Sequence, residues 1–262
     1  MPERLVASLE GPAGAPVLVL GNSLGTTREL WEPQVAALRG RFRLLRYEHR
    51  GHGGSPAPPG PYAVAGLAAD VLRLLDDFGV AAASYCGVSL GAMIGMWLAA
   101  HAPERIDLLA LCCTSAYLPP AQAWELRAAR VRSAGLAAIS QQVAGRWFTP
   151  GFHERDPATV AAFVATLESV TPEGYAGCCE AIAGMDLRSS LAAISAPTLV
   201  IAGEQDPATP PWHGAQVASG LACSQLRVIR GAAHLASVSH PGEVTAALMA
   251  HLTGSVSRPR WP

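Results

Sequence analysis

Six short apolar runs, each followed by a longer stretch rich in alanine, constrain this chain more than any other feature. Val17 to Leu20, Phe42 to Tyr47, Ala83 to Val88, Leu108 to Cys112, Thr198 to Ala202 and Leu226 to Ile229 are the strand candidates. Several are apolar on successive residues, the pattern of strands covered on both faces. The stretches between them read as helices: Trp31 to Leu38, Val64 to Phe78, Gly91 to Ala102, Trp212 to Ser219 and Glu243 to Leu252. Such alternation predicts an α/β chain with a doubly wound, mostly parallel sheet. Arg4 to Leu9, followed by Gly11-Pro12-Ala13-Gly14, predicts an antiparallel strand that turns into the first central one.

The alternation stops between Pro119 and Leu191. Ala121 to Ala134, Leu136 to Trp147, Pro157 to Ser169 and Pro172 to Gly184 read as helices, with no strong strand among them. The simplest arrangement is a helical cap, residues 119–191, inserted after a central strand of a core built from residues 1–118 and 192–262. The tail from Ser255 to Pro262 reads as a frayed appendix.

Composition narrows the function. Half of the 262 residues are hydrophobic and 15% are charged, enough for a sizeable core. The net charge is −1, with no run of like charges, which argues against nucleic acid or an anionic membrane surface as partner. All 19 basic residues are arginine, so Schiff-base chemistry on a lysine is excluded. No signal-peptide pattern and no apolar run of about 18 residues is visible, so a soluble cytoplasmic protein is expected. The six cysteines lack the C-x-x-C spacing of a thiolate metal site and are expected to be reduced, mostly buried thiols.

Gly87-Val88-Ser89-Leu90-Gly91 stands where a strand candidate ends and a helix begins. G-x-S-x-G in that context is a nucleophile elbow, and Ser89 is the candidate nucleophile. On such a sheet the acid and the base follow in that order, on loops after late strands. Asp206 follows the run ending at Ala202, with Glu204 as the competing acid, and His234 follows the run ending at Ile229. The oxyanion of an acyl transfer needs two backbone N–H donors. Leu90 supplies one; the other comes from Gly21-Asn22-Ser23-Leu24-Gly25-Thr26, with Leu24 favoured and Ser23 next. Glu48, His49 and His52 lie in a glycine-rich stretch that reads as a turn after the second strand, not a metal site.

The elbow, Arg50-Gly51-His52-Gly53-Gly54-Ser55 and the Asp206 and His234 loops together resemble the α/β-hydrolase superfamily. Further stretches are similar to the 3-oxoadipate enol-lactonase family within it. They are Gly21 to Thr27, Trp124 with Arg127, Val131-Arg132, Arg146 to Pro150, Gly174 to Cys179, Met185 to Arg188 and Pro197 to Gly203. Two positions depart from that pattern: Glu48 stands where aspartate is usual, and Ala92 replaces a common glycine. The resemblance implies a serine hydrolase that opens a small anionic lactone, without cofactor or metal, through Ser89, His234 and Asp206. It gives no oligomeric state. The substrate's carboxylate would need an arginine in an apolar pocket. Helical spacing puts Trp124 and Arg127 on one face, so Arg127 leads, with Trp147 and Arg132 as further substrate-binding candidates. A general carboxylesterase, a haloperoxidase-like esterase, or a ligand receptor on the same fold stay open as alternatives.

Overall fold

A computed structural model of the protein describes residues 4–254, so the tail expected to fray lies outside the described residues. Its strands are β1 (Ala7–Glu10), β2 (Val17–Gly21), β3 (Arg43–Tyr47), β4 (Ala83–Val88), β5 (Ile106–Cys112), β6 (Thr198–Gly203) and β7 (Ser224–Ile229). They form one seven-stranded sheet in the order β1-β3-β2-β4-β5-β6-β7. Only β1 runs antiparallel, paired with β3 from Ala7 opposite Tyr47 to Glu10 opposite Leu44. Every residue of β2, β4 and β6 is buried, which is why these runs are apolar on successive positions.

The helices are α1 (Glu32–Leu38), α2 (Val64–Asp77), α3 (Leu90–His101), α4 (Ala121–Ala134), α5 (Ser140–Trp147) and α6 (Pro150–Arg155). There follow α7 (Pro157–Ser169), α8 (Pro172–Ala183), α9 (Pro211–Gly220), α10 (Ala236–Ser239) and α11 (Pro241–Thr253). The chain between β5 and β6 is helical, from α4 to α8, and closes with a 3₁₀ segment at Arg188–Ala193. The helix expected from Leu136 to Trp147 is instead a 3₁₀ turn, Leu136–Ala138, followed by α5. Ser140 at the break donates to the Ala137 carbonyl and to Glu168, bonds that favour a helix start there. Two short helices escape the periodic reading, α6 and α10, of six and four residues. The first still has a local signal: Thr149 caps it by accepting the Phe152 N–H, with Pro150 at the first position.

Five of the six cysteines are buried, Cys223 is exposed, and none is disulfide-bonded among the described residues. No helix among the described residues is long and apolar enough to cross a membrane. Because β2, β4, β6 and β7 are parallel, their carboxyl ends lie along one edge of the sheet, where ligand sites of open α/β folds gather. Ser89, Asp206, His234 and the Asn22–Leu24 loop all follow those ends.

Candidate active site

Ser89 sits between β4 and α3 with φ +54° and ψ −113°, a backbone state that costs a non-glycine residue about 1–3 kcal/mol. Its neighbours hold it there. The Ser89 N–H donates to the Cys112 carbonyl at 2.9 Å, and Thr114 Oγ1 donates to the Ser89 carbonyl at 3.0 Å. Leu90 opens α3, so its N–H lies in the first turn, where no helical carbonyl is available.

Asp206 and His234 meet across the loops after β6 and β7. The His234 Nδ1–H donates to Asp206 Oδ2 at 2.7 Å. Oδ2 also accepts from Thr209 Oγ1 at 2.7 Å, while Oδ1 accepts the N–H groups of Ala208 at 2.8 Å and Thr209 at 3.0 Å. Burial pushes the Asp206 carboxyl up, but the His234 ring and the Thr209 bonds outweigh it and hold it at about 2. A carboxylate pinned by four donors fixes the imidazole tautomer and leaves Nε2 as the free ring nitrogen. The competing acid, Glu204, is turned away and accepts the Gly231 N–H at 2.9 Å. His213 also lies elsewhere, with Nδ1 2.8 Å from Ser115 Oγ.

A cavity of about 390 Å³ opens onto these groups. Ser89, His234, Ser23, Leu24, Thr209, Trp124, Arg127, Arg146 and Trp147 are among its walls. The structure thus brings Ser89, His234, Leu24, Trp124, Arg127 and Trp147 to one space, with Asp206 directly behind His234.

Comparison with known proteins follows the same lines. The α/β hydrolase fold family matches over residues 16–241. The chain belongs to the α/β-hydrolase family. It is 43% identical to 3-oxoadipate enol-lactonase 2 of Acinetobacter baylyi, over 88% of this chain and 86% of that protein. The crystal structure of the enol-lactonase from Burkholderia xenovorans LB400 superposes with a TM-score of 0.93 at 39% identity, covering 95% of this chain and 96% of that one. A malate-bound thermophilic esterase from Thermogutta terrifontis gives a TM-score of 0.89 at 28% identity, covering 95% and 92%.

In this α/β hydrolase the Glu48–His52 stretch is a bracket for the loop after β2, a role that the sequence does not announce. His49 Nε2–H donates to the Asn22 carbonyl at 2.8 Å, and the Gly91 N–H donates to the same oxygen at 3.0 Å. Asn22 Nδ2 donates to the Tyr47 carbonyl at 2.7 Å. His52 accepts the Gly25 N–H on Nε2 at 3.0 Å and donates from Nδ1 to the Arg50 carbonyl at 2.9 Å. Burial, with His49 alongside, pushes His52 down to about 3, so it stays neutral and keeps that acceptor. Since the Gly25 N–H is taken by His52 and the Thr26 N–H by the Ser23 carbonyl, Ser23 and Leu24 are the loop amides next to the cavity.

Glu48 closes the bracket by accepting the Arg28 N–H on both oxygens at 3.2 Å, with Asn22 Nδ2 at 3.4 Å. Burial raises its carboxyl to about 7 against the Arg28 N–H, which lowers it. A carboxyl raised on folding gives stability that is complete below its unfolded value and lost as pH rises through its folded one. Glu48→Gln is therefore expected to flatten the fall in urea midpoint between about pH 4.5 and pH 7. An equally steep fall in the variant would assign the effect to other groups.

Arg127 and Arg132 diverge. Arg127 lies over the rings of Trp124 and Tyr175, 5.3 Å from each centroid, and donates to the buried Tyr175 hydroxyl. Arg132, expected beside the substrate, lies outside the cavity wall. Its guanidinium is bound by Glu173, at 2.8 Å to each oxygen, and by Glu180 on α8. Two carboxylates satisfy it more strongly than a transient ligand could. Arg146, from α5, takes a place in the wall instead.

Proposed function

We propose that this chain is a serine hydrolase that opens the lactone ring of 3-oxoadipate enol-lactone to give 3-oxoadipate. The observation that carries this reading is the similarity to an enol-lactonase at 43% identity, spread over 88% of the chain, the helical segment included. The walls of the cavity support it: Arg127 and Arg146 stand among apolar side chains, with no Asp or Glu lining it among the described residues. That is a setting for an anionic substrate of modest size.

The chemistry follows from the geometry. Ser89 Oγ attacks the lactone carbonyl and passes its proton to His234 Nε2, while Asp206 stabilises the imidazolium through Nδ1. The N–H groups of Leu90 and Leu24 hold the oxyanion. Ring opening expels an enolate, which takes the proton back from His234; water, deprotonated by His234, then cleaves the acyl-enzyme and restores Ser89, and the enol tautomerises to the ketone. No step calls for a cofactor or a metal. Residues 119–191 act as a cap that carries the substrate-binding side chains Trp124, Arg127 and Trp147. The pathway is the β-ketoadipate route of aromatic degradation and the compartment the cytoplasm. A second reading, a broader carboxylesterase, draws on the 28% identity to the malate-bound esterase.

Turnover of the enol-lactone beside a neutral aryl acetate separates the two readings. The lactone is expected to be the better substrate. Arg127→Gln is expected to lower kcat/KM on it by about 10- to 100-fold, the loss of one charge-assisted contact of about 1.5–3 kcal/mol, and on the aryl ester by far less. Aryl acetate cleaved much faster than the lactone would favour the carboxylesterase.

A further inference from the structure

A second cavity, of about 370 Å³, adjoins the first. The two share the walls Leu118, Trp124, Arg127, Val143, Arg146 and Ala208. The outer one adds Arg130 of α4 and Gln142 of α5, and neither reaches the inner cavity. No acidic residue lines it among the described residues, so three guanidinium groups share its rim uncompensated. Their own contacts leave them available. Arg127 is held by a neutral phenol and two aromatic faces. Arg130 donates to a backbone oxygen, that of Ala138, at 2.8 Å. Arg146 has no hydrogen-bond or ion-pair partner among the described residues. The arginine with carboxylate partners, Arg132, faces α8 rather than either cavity.

We propose that the outer cavity is a separate binding chamber for small carboxylates, with Arg130 as its defining residue, through which anionic ligands reach and leave the Ser89 cavity. Like-charged groups left without counterions around a concave surface concentrate anions and speed their arrival. A lactone with one carboxylate becomes a product with two, so the ligands that pass this way are anionic in both directions. Arg146 belongs to both cavities and hands the anion from the inner one to Arg130. The identity of the natural ligand rests on the function proposed above; the existence of the chamber does not.

The test is Arg130→Gln beside Arg130→Lys. At low ionic strength Arg130→Gln is expected to lower kcat/KM for the enol-lactone by about 3- to 10-fold with kcat retained. Its kcat/KM for a neutral aryl acetate stays near the parent's. Arg130→Lys recovers most of the loss, and about 0.5 M NaCl erases the difference, since the Debye length then shrinks below the width of the chamber. The same lactone-to-ester ratio in Arg130→Gln and in the parent overturns the proposal. If the parent does not open the lactone at all, the proposed substrate fails and the chamber is read with adipate, an inert dicarboxylate, inhibiting aryl acetate cleavage. An adipate inhibition constant raised several-fold by Arg130→Gln supports it; an unchanged constant overturns it.

Discussion

Ser89→Ala is expected to lower kcat on the enol-lactone by at least about 10⁴-fold, with no pre-steady-state burst. In the proposed mechanism Oγ forms the acyl bond, and the amides and arginines around it can only stabilise what a nucleophile has begun. The fold should not notice the change. Ser89 already holds φ at +54°, a penalty that serine and alanine carry alike, and the bonds that fix the elbow use its backbone N–H and carbonyl. A thermal midpoint within a few degrees of the parent, together with collapsed turnover, is the expected pair of results. Turnover close to the parent's would remove Ser89 from the mechanism and the triad with it.

What the sequence showed and what it hid divide along one line. Local patterns were legible. Apolar runs without alternation marked β2, β4 and β6 because those strands are buried on both faces, and G-x-S-x-G marked the elbow because the turn demands it. The pairing of Asp206 with His234 was legible because each follows a strand whose end is set by the sheet. Long-range partnerships were not. Arg127 and Arg132 are both arginines of α4, and only the positions of Tyr175, Glu173 and Glu180 tell a guanidinium on a neutral phenol from one bound by two carboxylates. His49 and His52 raised a metal question in the sequence. Their real partners are a carbonyl at Asn22 and an N–H at Gly25, more than 20 residues away. A backbone group leaves no trace in residue identity, so no pattern could have named it. Arg146 opens a stretch that resembles the family, but helical spacing alone could not place it on the wall shared by both cavities.

That hidden bracket makes Gly91→Ala a small substitution with a large expected effect. A methyl group there would lie 2.4 Å from the Gly21 carbonyl carbon, 2.5 Å from its oxygen and 2.8 Å from the Asn22 oxygen, all of them backbone atoms. None can rotate away as a side chain would. Alanine gains about 1 kcal/mol in helix propensity, but overpacking backbone on backbone costs about 3 kcal/mol, so the clash wins. One of the displaced atoms, the Asn22 oxygen, is the acceptor that the His49 and Gly91 N–H groups hold, and it begins the loop that presents Ser23 and Leu24 to the cavity. Stability and catalysis are therefore expected to fall together: the thermal midpoint by about 4–8 °C and kcat by about 100-fold. Gly145→Ala is the control, since its added methyl meets nothing within 4 Å beyond its own stretch of helix, and its helical position should leave both readings at or slightly above the parent's. A Gly91→Ala protein that melts early yet keeps its kcat would show that the loop after β2 moves without disturbing the oxyanion, and would shift the second donor away from Leu24.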